Sequence, residues 1–469
     1  MTEAVLQTDP EHKGGLSPGG VDRDDGLTRA LARYAVGVRY ASLPSVVRHE
    51  AARAFLNWIG VAIGGSEEEA SRIAARYVAE KHGGQKAALI GHRLMSDVAS
   101  AAFVNCISSS VLAYDDAHLP TVAHPSGPAA AALFALAQTR PIDGEAFLRA
   151  LALGIEMQCR VANMLVQPPS PIDPNFYVNG FSGPIGVAAA VGCLVGLDEQ
   201  HMVWAIGLAA SQASGFRSTH GTMTAHFRPG YAAQAGVLAA LLAAHGFDCT
   251  DNALEAPGGF IDVYAKGTDA AIALDGLGER HEMLENRYKP YPCGIVIHPV
   301  IDACQQALAQ LPVGATLARI QLIVNPLVLK LTGKPTPQTP LESHVSVFHW
   351  AAVALLGRSV GLAATQTESI FDPTVVALRD RIGAEADPRL GKGEAKVQII
   401  LADGAVIDAH VTHARGSRER PMTDSELDAK FDELAMRKLS RDASDRLRDA
   451  CWQVAGMADV GLAIGPLLP

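Results

Sequence analysis

The sequence predicts a mainly α protein: a large all-helical domain with a smaller α+β domain inserted into it or following it. Three observations carry this. Apolar residues recur at helical spacing through nearly all of residues 27–246, alternation with a period of two enters after about residue 267, and helical spacing returns beyond Thr423. The boundaries that follow are a disordered N-terminal tail over 1–26, a first helical part over 27–284, the lid over 285–420 and a helical return over 421–469.

The tail is polar and rich in Gly, Pro and Asp, a composition that cannot bury enough apolar surface to fold. Helices are expected at 27–38, 46–63, 67–81, 96–113, 127–138, 144–165, 183–195, 198–213 and 231–245. Ala and Gly recur where these helices would touch, so their axes can approach closely. The run ARIQLIVN at 318–325 alternates. A hairpin is expected where 395–401 and 406–411 flank Asp403-Gly404, a strong turn signal. Helices at 297–309, 346–356 and 374–382 should accompany these strands, and Thr423 with Glu426 three residues on forms a capping box for the helical return.

Composition excludes several functions. The net charge of −10 argues against nucleic-acid or anionic-membrane binding. The longest apolar runs, around 187–195 and 237–244, are too short to cross a bilayer. The seven cysteines are scattered without C-x-x-C spacing, which reads as reduced thiols in a cytoplasmic protein with neither disulfides nor a zinc or iron–sulfur site.

Three segments are denser in polar residues than a core would choose. The first runs from Tyr114 to His124 and packs Asp115, Asp116, His118 and His124 into one short stretch stiffened by Pro120 and Pro125, with Ser126 expected to cap the apolar helix that follows. The second, Arg217 to Arg228, reads RSTHGTMTAHFR; its hydroxyls, Thr222 among them, and either arginine suit a carboxylate. The third, Lys289 to His298, reads KPYPCGIVIH and stiffens Lys289 and Tyr291 with prolines ahead of a helix. Adjacent carboxylates on an extended segment point to opposite faces, so Asp115 and Asp116 converge poorly on one ion, and no metal site and no cofactor are expected.

The stretches DDAHLPTVAHPSG, GTMTAHFRPGYAAQAGVLAALLAAHGF, KPYPCGIVIHPVIDA and GSRERPMTDSELDAKF, in this order and at these separations, resemble the MmgE/PrpD family, which contains 2-methylcitrate dehydratase, cis-aconitate decarboxylase and iminodisuccinate epimerase. The resemblance implies an active site in the cleft between the helical and lid domains, a homodimer, and metal-independent proton chemistry beside a carboxylate. The chain departs from the family pattern at Ala113 and Ala225, where an aspartate and a lysine often stand, at Arg228 and Gly294, which replace histidines, and at His349, which replaces a tyrosine.

A carbon-bound proton beside a carboxylate is weakly acidic, so its removal needs a base and cations that stabilise an enediolate-like transition state. The expected roles follow. His124 or Asp115 moves the proton, Lys289 and Arg228 hold carboxylates, and His118, Tyr291 or His349 supplies the acid. Tyr114, Asp116, Thr222 and His298 complete the substrate contacts. The resulting expectation is a lyase of the hydratase or dehydratase type acting on a small carboxylate. Its alternatives are an epimerase of a small dicarboxylate and a catalytically silent binding module.

Overall fold

A computed structural model describes residues 26–80, 86–169 and 171–469. Apart from Gly26, the expected N-terminal tail lies outside the described residues, as does Lys81 at the end of the expected third helix.

The helical domain is built from α1 (Leu27–Gly37), α2 (Ser45–Gly65), α3 (Glu69–Ala79), α4 (Val98–Ser110), α5 (Ser126–Ala137), α6 (Gly144–Val166), α7 (Asn179–Val195), α8 (Glu199–Ala210) and α9 (Thr224–Ala244). Every residue of α5 is buried, so it forms the axis around which α4, α6, α7 and α9 pack. Small residues make that packing possible. A Cβ on Gly154 would come 2.9 Å from the Ala190 Cβ and 3.0 Å from that of Ala129, and one on Gly186 would come 2.6 Å from the Gly154 carbonyl oxygen.

Helix α9 begins at Thr224 rather than at residue 231, so the polar end of the Arg217–Arg228 segment is helical. Its Pro229 looked like a breaker in the sequence. It sits in the second turn, where only the Ala225 carbonyl loses its helical donor. Pro184 acts likewise in α7, and the carbonyl it frees, on Gly180, accepts from Ser214 N at 3.1 Å, which ties down the chain leading to Arg217.

Two short ladders lie within the helical domain: β1 (Ala87–Leu89) with β2 (Leu94–Ser96), and β3 (Asp116–His118) with β4 (Asn286–Tyr288). At three residues each, these strands are too short for alternation to be visible in the sequence.

The α+β domain carries a four-stranded sheet in the order β6-β5-β7-β8, formed by β5 (Leu317–Val324), β6 (Ile382–Ala386), β7 (Ala395–Leu401) and β8 (Val406–Val411). Both strands of the expected hairpin fall where the Asp403-Gly404 turn places them. The third expected lid helix is shorter, Pro373–Arg379, and β6 takes up residue 382. Strand β6 reads IGAEA, with little β-branched signal of its own; its parallel pairing with the strongly apolar β5 decides its state. Helices His298–Leu308 and Val347–Leu355 cover the sheet and bury Trp350 against it.

Beyond the sheet the chain returns to the helical domain. Helix Asp424–Ala435 opens with the expected Thr423–Glu426 capping box, and its Leu427, Phe431 and Leu434 enter the helical core against α2. The two connections between the domains touch at Gly416. Its φ is +81°, and a Cβ there would meet Pro290 Cδ at 2.8 Å and the Tyr288 carbonyl oxygen at 2.9 Å, so only glycine fits. All seven cysteines are free thiols.

Candidate active site

The site starts where α4 ends. Ala113 turns the chain with φ +48°, β3 carries Asp116 to His118, and a tight loop returns through Val122 at φ +58°. The His118 carbonyl accepts from Val122 N at 2.7 Å, and Asn179 Oδ1 accepts from His124 N at 2.6 Å. A left-handed conformation is unfavourable for a β-branched residue, and this one persists because bonds on both sides hold it.

Asp115 and Asp116 point to opposite sides, as extended backbone requires. The Asp116 carboxylate accepts from Ser126 N at 3.1 Å, Ser126 Oγ at 2.5 Å and Asn286 Nδ2 at 2.5 Å. Ser126 is therefore the first residue of α5 and not its cap; Asp116 supplies the capping carboxylate from ten residues upstream. Burial and the neighbouring Asp115 raise the Asp116 pKa.

Asp115 faces the other way, into a cavity of about 110 Å³ between the two domains. Its Oδ1 accepts from Lys289 Nζ at 2.5 Å, and its Oδ2 lies 3.4 Å from His124 Nδ1. Burial alone would push this carboxyl up, but His124 and Lys289 outweigh it and hold the pKa below its ordinary value. Burial lowers the His124 pKa despite Asp115. The Asp116 carbonyl oxygen lies 2.6 Å from His124 Nδ1, which assigns the proton of the neutral ring to Nδ1 and leaves Nε2 as the basic nitrogen.

Of the residues singled out in the sequence, Asp115, His124 and Lys289 line this cavity together. Arg217, the alternative to Arg228, joins them, and the others are placed elsewhere. His118 is fully buried, with Nδ1 2.9 Å from Thr121 Oγ1 and Nε2 3.3 Å from Glu282 Oε2, near enough for a charge contact but not aligned as a hydrogen bond. Tyr114 donates to the Pro290 carbonyl. Tyr291 donates to Asp302 Oδ1 at 2.6 Å and meets His298 edge-on. His349 is buried in the α+β domain, its Nε2 2.8 Å from the Ala364 carbonyl oxygen. Thr222 is exposed and donates to the Thr219 carbonyl. Of the two arginines in the second segment, Arg228 donates to Ser214 Oγ and lies over the Phe227 ring, outside the cavity lining, while Arg217 lines it.

Tyr177, His220 and His344, which the sequence reading passed over, also line the cavity, as does His226, a polar residue of the Arg217–Arg228 segment that falls in the first turn of α9. His226 Nδ1 lies 2.9 Å from Ser110 Oγ at the end of α4. Arg217 sits 6.0 Å from the Tyr177 ring centroid, and its Nε is buried without a hydrogen-bond partner among the described residues. His344 follows a four-residue helix, Pro340–Ser343, and carries no local motif that marks it.

A histidine, a buried carboxylate–ammonium pair and an arginine thus line one cavity between a helical and an α+β domain. The MmgE/PrpD N-terminal domain matches residues 29–273 and the MmgE/PrpD C-terminal domain matches residues 291–454; the chain belongs to the MmgE/PrpD family. It is 24% identical over 438 residues to the cis-aconitate decarboxylase of Homo sapiens, covering 90% of each chain. It is 24% identical over 444 residues to that of Aspergillus terreus, covering 87% of this chain and 89% of the relative. With the enzyme of Mus musculus it shares 25% over 361 residues, 74% of each chain. Three departures from the family pattern, Ala113, Ala225 and Gly294, stand in the cavity wall. No described helix is long and apolar enough to cross a membrane.

Proposed function

We propose that the protein is a lyase of the dehydratase type that acts on a small polycarboxylate, without a metal, through proton transfer at a carbon beside a carboxylate. One observation carries this reading: the buried Asp115–Lys289 pair and the His124 imidazole line a cavity together with Arg217, whose Nε has no hydrogen-bond partner among the described residues. A cavity of about 110 Å³ lined by side chains of both domains suits a small molecule rather than a polymer.

In this reading Arg217 anchors one carboxylate. His124 Nε2 removes the proton from the carbon beside the other carboxylate, while Lys289 stabilises the negative charge that develops on its oxygens. Asp115 holds Lys289 in place and stabilises the imidazolium that forms. The electron pair left on carbon expels a β-hydroxyl, which leaves as water after taking a proton from a wall imidazole, His226 being the one fixed by Ser110. His118, Tyr291 and His349 do not line the cavity, so the acid role passes from them to this wall. The decarboxylase names of the relatives support a lyase-type role, and the altered wall at Ala113, Ala225 and Gly294 supports a substrate different from theirs.

The test is incubation with a panel of hydroxylated di- and tricarboxylates in deuterated water. The expected result is loss of water with deuterium at the carbon beside the carboxylate in recovered substrate. Release of carbon dioxide instead would make the protein a decarboxylase. Inversion without elimination would make it an epimerase, and no exchange with any member would leave a binding module.

A further inference from the structure

The cavity lining holds more polar groups than the proton transfer uses. Asp115 and Lys289 cancel each other, which leaves Arg217 as the standing charge among the described lining residues, too little for a di- or trianion taken out of water. The same lining holds three imidazoles brought by three different elements. His220 lies just past the turn at Arg217–Thr219, edge-on to Tyr177 with ring centroids 5.1 Å apart. His226 is on α9, and His344 is buried on the α+β domain.

We propose that His220, His226 and His344 form a proton-coupled carboxylate receptor: a polycarboxylate enters the cavity as an anion, and the wall takes up a proton from solvent to match its charge. This rests on the reading of the cavity as a polycarboxylate site. Burial and nearby cations keep the empty wall uncharged. His226 is held at about 4 by burial, with Lys289 and His124 acting in the same direction against Asp115. His344 is held at about 3 by burial, His226 and Lys289, again against Asp115. His220 is held at about 4 by burial, Arg217, His226 and His124. An arriving carboxylate reverses the local field, because an opposite charge at contact distance favours the protonated imidazole. The proton taken up is also the one a leaving hydroxide needs, so the ligand charges its own general acid.

The experiment is calorimetric titration with tricarballylate, an unreactive tricarboxylate, and with succinate, in two buffers of different ionisation heat. About one proton should be taken up per ligand at pH ~7.5, and affinity should fall about tenfold per pH unit above neutrality. In His220→Gln/His226→Gln/His344→Gln, with its fold checked by near-ultraviolet circular dichroism, the uptake and the pH slope should both disappear. Binding without uptake in the wild-type protein overturns the receptor and leaves the carboxylate reading standing. Unchanged uptake in the triple variant also overturns the receptor. Absence of binding by either ligand overturns both. If the triple variant does not fold, the wild-type uptake decides alone.

Discussion

Lys430, on the helix that returns from the α+β domain, donates to the backbone carbonyl of Lys289 at 2.9 Å. The same ammonium donates to the Tyr114 carbonyl at 2.7 Å and sits 4.2 Å from the centroid of the Tyr114 ring. One buried cation thus joins the segment that presents Asp115 to the one that presents Lys289. Burial lowers its pKa to about 7. Lys430→Met leaves two buried carbonyls unpaired, so a loss of about 1–3 kcal/mol is expected in urea unfolding. Deuterium exchange into substrate should fall much further than binding weakens, because the Asp115–Lys289 geometry loosens. Unchanged exchange would show that the clamp does not position the pair.

The Asp116 cluster makes a separate stability prediction. Ser126→Ala removes one of three donors to a buried carboxylate while keeping the backbone N–H that caps α5. The expected cost is about 1–3 kcal/mol in chemical denaturation. Substrate affinity should stay near wild type, since Asp116 faces away from the cavity. A large change in affinity alone would contradict that orientation.

Acid should destabilise the unliganded protein through imidazoles that are buried or partly buried. His220 and His226 titrate at about 4, and His298 and His344 at about 3, against an ordinary 6.5. Between these values the unfolded chain binds more protons than the folded one, so stability falls as pH drops from 6.5 toward 4. Thermal midpoints measured across this window should decline, and His226→Gln/His344→Gln should decline less steeply. Equal slopes would mean that the wall imidazoles are not held neutral by the fold.

Val122 holds a left-handed conformation beside the site, with φ +58°. Val122→Gly relieves strain of order 1–3 kcal/mol but adds backbone freedom to the unfolded chain worth roughly 0.5–1 kcal/mol. The variant should therefore melt within a few degrees of wild type despite losing a branched side chain. A clear loss of stability would show that packing of this valine outweighs its backbone cost.

The architecture was legible in the sequence because long helices and the 395–411 hairpin advertise their periods locally. Strand β6 was not, since its pairing with β5 lies some sixty residues away in the chain. The site divides along the same line. Asp115, His124 and Lys289 stood out because prolines and adjacent charges mark their segments. His344 carries no mark, and Arg217 could be chosen over Arg228 only after α9 was seen to start at Thr224 and the Ser214 region to pin to Gly180. Tertiary neighbours decide such positions, and the local sequence does not record them.

The contact of Gly416 with Tyr288 and Pro290 has a mechanical meaning. Both threads that suspend the α+β domain pass through this point, next to Lys289, whose carbonyl is anchored to the helical body by Lys430. A swing of the suspended domain about that fulcrum would carry away His344, Thr332 and the Gly294–Val296 turn while leaving the Asp115–Lys289 pair in place. Such a swing would open the cavity while the Asp115–Lys289 pair stays assembled on the frame from which the domain hangs.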